Sequence, residues 1–285
     1  MTPYLKLVSD FERIVRQGKS LPLGGIPDTP RPVPSPDAPT ALFFAPHPDD
    51  ETIGGGLALR LLREAKWRVI DIALTLGSRK ERKAGRWQEL RSACQFLGFG
   101  LEKTSPDGLD NVRPSTRSGD PAAWSRMVAV VAALLKKHRP RVAFFPHELD
   151  WNGTHIGAHF LVMDALQAAP GLPCYLVETE FWGQMQTPNL MVEYSPADVA
   201  DLIAATSFHV GEVQRNPYHV LIPAWMMDNV RRGAELVGGQ GGAAPTFLYA
   251  QLFRLRRWNG SQVEDCLTAG RFLPASANPA ELFQP

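Results

Sequence analysis

The chain has 285 residues, 44% hydrophobic and 21% charged, with a formal net charge of +1. That is enough chain to bury a full core, in proportions ordinary for a soluble protein, and the even charge balance gives no electrostatic case for nucleic acid or an anionic membrane. No apolar run approaches the roughly 18 residues needed to span a bilayer. The N-terminus lacks a signal-peptide core, and Cys94, Cys174 and Cys266 are too scattered for a disulfide framework or a cysteine zinc site, so a cytoplasmic protein is expected.

Residues 1–20 have helical spacing, with Leu5, Leu7, Val8, Phe11 and Ile14 near one face. From 24 to 39, Pro27, Pro30, Pro32, Pro34, Pro36 and Pro39 forbid a helix or a central strand. The chain therefore divides into an arm with a Pro-rich linker over 1–39 and one α/β domain over 40–285.

A strand over 41–45 runs into Pro46-His47-Pro48-Asp49-Asp50-Glu51, then Gly54-Gly55-Gly56 and a helix over 57–64. A second strand covers 67–76. Residues 80–97 are helical, with Trp87, Leu90, Cys94 and Leu97 on one face and Gly98 as the stop. A loop rich in Pro, Gly and Asp spans 105–120, followed by a helix at 122–138, a third strand at 142–146, a helix at 157–168 and a fourth strand at 174–181. Strands alternating with helices predict a parallel or mostly parallel sheet with helices on both faces. Beyond this, Ser195-Pro196-Ala197-Asp198 starts a helix running to about residue 205, 224–237 is another, 238–244 is a glycine-rich loop, and 247–255 is a late strand at an edge. His209, Glu212, Gln214, Arg215 and Asn216 form a polar cluster that either lines the pocket or sits on the surface, with the pocket slightly favoured.

A histidine and three consecutive acids thus sit where a strand ends and a helix begins, the edge at which open α/β sheets bind ligands. Neighbouring carboxylates repel one another unless a cation neutralises them, and His with Asp is a normal ligand pair for zinc or a similar divalent ion. The bland alternative is a solvated acidic turn with an incidental histidine. The third strand ends in a matching way, in His147-Glu148-Leu149-Asp150-Trp151-Asn152-Gly153-Thr154-His155, with His159 four residues on. His155 and His159 share a helix face, and either can reach a metal held by His47 and an acid.

His47-Pro48-Asp49-Asp50-Glu51 resembles the signature of the PIG-L or LmbE-like deacetylases, zinc-dependent hydrolases that remove acetyl groups from N-acetylglucosamine-type amino sugars. The resemblance covers roughly 41–168: Thr75-Leu76-Gly77 is similar to the family's second strand end, Arg86-Trp87-Gln88-Glu89 to its Arg-x-x-Glu helix, and Pro106-Asp107-Gly108 to its following aspartate. His155 matches the last histidine of the family's second metal motif. The resemblance implies a Rossmann-like sheet with the active site at the C-terminal ends of the strands. It implies His47, Asp50 and His155 as ligands of Zn2+, or of another divalent ion such as Fe2+, and Asp49 as general base. Arg86 and Asp107 become candidates for holding sugar hydroxyls, the alternative for both being a structural ion pair or a loop cap. Apart from the resemblance, Trp151 is either a platform for the sugar ring or a buried aromatic.

The sequence departs from the family pattern at two positions. Asn152 stands where the family has a histidine, and Thr154 where it has an aspartate. Asn152 can donate a hydrogen bond to an oxyanion but cannot be a charged acid. The leaving amine is then protonated by Asp49, or with help from His147 or His159. The expected function is deacetylation of a small amino-sugar conjugate, with no nucleic-acid partner and no membrane span. The alternatives are a catalytically altered sugar-binding protein and a metal-dependent hydrolase of a different amide. A nucleotide-binding domain is disfavoured, because Gly54-Gly55-Gly56 lacks the required glycine spacing and follows acids that would repel phosphate.

Overall fold

The computed structural model describes residues 2–27 and 31–284. The arm forms helix α1 (Pro3–Gly18), with proline in its first turn and no buried residue. Pro30 of the linker lies outside the described residues. The rest of the linker has no regular element, but it is tied down: Gly24 N donates to Ser207 Oγ (3.2 Å) and Arg31 Nε to Phe96 O (2.8 Å).

From there β1 (Thr40–Ala45) leads to the short helix α2 (Asp50–Ile53) and to α3 (Gly56–Arg63). Then come β2 (Arg68–Ala73), α4 (Lys80–Leu97), β3 (Gly100–Lys103), α5 (Pro114–Gly119), α6 (Pro121–His138), β4 (Val142–Pro146), α7 (Gly153–Gln167) and β5 (Cys174–Thr179). The remainder forms β6 (Leu190–Glu193), α8 (Pro196–Ser207), α9 (Val210–Val213), a 3₁₀ turn (Tyr218–Leu221), α10 (Ile222–Leu236), β7 (Ala250–Trp258), β8 (Val263–Asp265) and β9 (Arg271–Leu273).

These strands make one sheet in the order β3-β2-β1-β4-β5-β7-β6-β9, with β8 on β7. From β3 to β5 every pairing is parallel; β7 runs antiparallel to β5 and β6. The central strands are apolar on both faces, as a sheet covered by helices on both sides requires. Phe43, Val69 and Phe144 face the cluster that includes Leu59, Leu90 and Leu202, while Leu42, Ile72 and Phe145 face the cluster that includes Val131 and Leu161. The chain winds from β1 outward to β3 and then returns to place β4 on the other side of β1. The loops after β1 and β4 therefore flank the point where the strand order reverses, the usual ligand crevice of such sheets.

The structure corrects several expectations. The loop at 105–120 holds α5, which Pro114 starts at its first turn. Helix α7 begins at Gly153, earlier than expected, because Asn152 caps it by accepting from Thr154 N (2.8 Å). The late strand is not at an edge: β7 is flanked by β5 and β6. Its partners β6 and β8 are too short to show a period in the sequence. Among the described residues no helix is long and apolar enough to cross a membrane.

Candidate metal centre and active site

Strand β1 delivers its loop to the sheet edge in a strained form. Asp49 has φ 122°, a left-handed region that non-glycine residues rarely occupy and that costs about 1–3 kcal/mol. Buried neighbours hold it there. The Glu51 carboxylate accepts from Asp49 N (2.9 Å) and from His209 Nε2 (2.8 Å), and Thr52 Oγ1 donates to Asp49 O (2.8 Å). Asp49 and Asp50 therefore point in different directions from adjacent positions.

Asp50 meets two histidines. His47 Nδ1 lies 3.2 Å from His155 Nε2 and 3.5 Å from Asp50 Oδ2, and His155 Nε2 lies 3.3 Å from Asp50 Oδ2. Three lone-pair donors converge on one point, and two of the residues are buried. Tetrahedral zinc, with bonds of about 2.0–2.2 Å, sets its donors roughly 3.3–3.5 Å apart, so this triangle fits a divalent cation closely. On the far side of the His155 ring, buried Nδ1 has no hydrogen-bond partner, and its nearest acid is Asp150 Oδ1 at 3.7 Å. Asp150 is itself fixed by Asn152 N, Trp182 N and Gly183 N. A carboxylate behind a ligating histidine is the common arrangement for setting ring orientation. Burial alone would raise the Asp50 carboxyl, but His155 and His47 outweigh it and hold Asp50 ionised, well below the usual carboxylate range.

Asp49 faces a different set of groups. Tyr218 Oη donates to its Oδ2, and Arg86 Nη2 stands 3.8 Å from its Oδ1 while donating to Pro48 O (2.8 Å). Burial first, then the Asp50 charge, push the Asp49 carboxyl up to about 7, against the pull of His209, Arg86 and Tyr218. A carboxyl titrating there is suited to general acid–base work at neutral pH.

The structure thus brings His47, Asp49, Asp50, His155 and Arg86 together. Asn152 lies beside them, lining a polar cavity of about 570 Å³ with His47, Ser78, Lys80, Asp110 and Asn111. Its Oδ1 is used in the helix cap, leaving its amide N–H groups as donors. Other candidates lie elsewhere. Asp107 is exposed on the 105–108 turn, and it is Asp110 that reaches the cavity, where Lys83 pairs with it (2.8 Å). Trp151 is 82% exposed and turns outward, while Asp150, just before it, is the residue anchored inward. His147 has both ring nitrogens engaged by backbone, with Gly183 O at 2.8 Å and Leu149 N at 3.3 Å. His159 Nδ1 bonds Pro146 O (3.1 Å), and the ring belongs to a separate cluster with Glu148 and Glu178. In the 209–216 cluster, His209 and Glu212 are buried at the site, whereas Gln214, Arg215 and Asn216 are exposed. Tyr218 and Asp150 carry no motif and are visible only in the fold.

At the switch point of this mostly parallel α/β sheet, a His–Asp–His triangle that could hold a metal ion stands beside a buried carboxyl. Residues 42–166 match the family described as PIG-L: GlcNAc-PI de-N-acetylase. No curated protein sequence matches the chain. Solved structures share the fold. A conserved protein of Thermus thermophilus is 20% identical, over 75% of this chain and 93% of that one, with a TM-score of 0.57. The 4-carboxy-2-hydroxymuconate hydratase GalB of Pseudomonas putida is 18% identical over 76% and 95%, with a TM-score of 0.56. The N,N′-diacetylchitobiose deacetylase of Pyrococcus horikoshii is 15% identical over 87% and 91%, with a TM-score of 0.53.

Proposed function

We propose that this protein is a metal-dependent amide hydrolase that removes the acetyl group from an N-acetylglucosamine-type amino-sugar conjugate. The observation that carries the reading is the triangle of His47, Asp50 and His155 with the Asp49 carboxyl beside it, inside the segment that matches the PIG-L family. The substrate named for the diacetylchitobiose deacetylase supports the substrate class. A divalent cation held by His47, Asp50 and His155, zinc or Fe2+, would supply Lewis-acid polarisation of the amide carbonyl and a lowered pKa for the attacking water.

Asp49 takes a proton from that water, with Tyr218 and Arg86 fixing its carboxylate. The hydroxyl adds to the carbonyl carbon, and the Asn152 amide donates to the oxyanion. As the C–N bond breaks, the proton held on Asp49 passes to the nitrogen, giving acetate and the free amine. With His147 bound to backbone at both nitrogens and His159 turned to Pro146, Asp49 is the group left to carry the proton both ways. The polar cavity takes the sugar, with Arg86 serving the base more directly than the sugar. The free Cys94, Cys174 and Cys266 support a reducing, cytoplasmic setting.

The test is acetate release from a panel of N-acetylglucosamine conjugates, using chelator-treated protein with Zn2+ or Fe2+ added back. Wild type should turn over and Asp49→Ala should lose about 10²–10⁴ of the rate. Protein that holds one metal per chain and releases no acetate from any conjugate overturns the reading.

A further inference from the structure

The reacting centre lies between two unlike spaces. On one side is the polar cavity that contains His47 and Asn152. On the other is an apolar cleft of about 230 Å³ lined by Ile53, Phe181, Trp182, Tyr218, Leu221 and Trp225. The cleft adjoins the site through two of its lining side chains. Phe181 stands edge-on to the His155 ring at 4.9 Å, and Tyr218 bonds Asp49. Its rim is apolar and open: Trp182, edge-on to Tyr218, is 50% exposed, and Leu221 is 46% exposed. Isolated exposed apolar side chains are ordinary, but aromatic residues converging on a cleft beside a reactive carboxyl mark a binding surface.

An N-acyl amino sugar has the same two-sidedness, with a polar ring on the nitrogen and hydrocarbon on the carbonyl. Seating the ring in the polar cavity directs the acyl group into the cleft. An acetyl methyl is about the size of a water molecule, roughly 30 Å³, and leaves most of the cleft empty. We infer that the preferred leaving acyl group is a hydrocarbon chain of about six to eight carbons, held between Trp182, Tyr218 and Trp225. The inference rests on the amide-hydrolase reading and changes its acyl specificity. Burying one methylene is worth up to about fourfold. Four added methylenes in a cleft that is half open should give a gain of roughly ten- to a hundredfold.

The experiment compares kcat/KM for N-acetyl-, N-hexanoyl- and N-octanoylglucosamine by release of the free amine. N-acetyl octyl glucosaminide is included, to place an equal chain on the sugar instead. The expected result is a hexanoyl-to-acetyl ratio of about ten or more that collapses toward one in Trp225→Ala and is kept in Trp151→Ala, outside the cleft. Quenching of tryptophan fluorescence by N-octanoylglucosamine in Asp49→Asn, tighter than by the N-acetyl sugar, is the expected result without turnover. A ratio at or below one, or a gain confined to the octyl glucosaminide, overturns the acyl assignment while amide hydrolysis stands. Amine release from none of the four overturns the hydrolase reading and takes this inference with it.

Discussion

Tyr218 reaches the site from 169 residues away to donate its hydroxyl to Asp49 Oδ2. The bond favours the ionised carboxyl, so it opposes the burial and the Asp50 charge that push Asp49 up to about 7. Removing it in Tyr218→Phe moves the Asp49 pKa upward, and less of the base is ionised near neutrality. The acidic limb of the pH–rate profile should shift to higher pH. At about pH 7, kcat/KM should fall roughly tenfold, since a hydrogen bond to a charged group is worth about 1.5–3 kcal/mol. Part of the loss should return by about pH 8.5, measured on the best substrate of the panel. A uniform loss across the profile would mean that Tyr218 positions substrate and leaves the base alone. No residue near 218 announces this role in the sequence, because the segment has no period and its contact exists only in three dimensions. His47, Asp49, Asp50 and His155 were legible for the opposite reason: each sits in a short polar motif directly after an apolar strand, where chain order alone fixes the location.

Helix α7 carries His155 and packs so closely on the 112–113 backbone that only glycine fits at 157. A Cβ there would lie 2.4 Å from Val112 O and 2.6 Å from Arg113 N. Alanine in a helix interior gains about 1 kcal/mol over glycine in propensity. Here the neighbours are backbone atoms that cannot turn aside, and overpacking costs typically about 1–3 kcal/mol. The clash wins. Gly157→Ala should lower the urea midpoint with an unchanged m-value and, two residues from His155, weaken metal binding as well; an unchanged or raised midpoint would show that the helix has room. Long elements such as α4, α6 and the central strands were readable because burial imposes a period over many residues. Four-residue β6 and three-residue β8 and β9 impose none, so β7 looked like an edge when it lies within the sheet. The aromatic residues were only partly readable in the same way. Trp151 sits in the right loop but turns outward, while Trp182 and Trp225, from segments with no motif, line the cleft.

Across the whole molecule, the parallel and antiparallel parts of the sheet are joined by charge at the same edge as the site. Arg254 of β7 pairs with Glu178 of β5 and with Glu148 just after β4, and Arg256 also pairs with Glu178. Glu148, His159 and Glu178 lie close enough together to hold a metal, but two guanidinium groups already neutralise the carboxylates, so the cluster acts as an ion network across the strands. Burial raises the Glu148 carboxyl, but the Arg254 hydrogen bond and charge outweigh it and hold it down at about 2. An unfolded glutamate titrates near 4.3. A carboxyl lowered on folding stabilises the fold fully above its unfolded pKa, and that contribution is lost as pH falls from about 4.5 toward 2. Partial exposure of Glu148 reduces its worth to about 1 kcal/mol. Glu148→Gln should therefore be less stable than wild type by about that amount from about pH 8 down to about 5.5. The gap should narrow steadily below about pH 4.5, as the wild-type carboxyl takes up its proton and comes to resemble the amide. Urea midpoints of both proteins across that range check it. A gap that stays constant into acid would mean that Glu148 contributes through packing and amide-like hydrogen bonding, with no part played by its charge against Arg254.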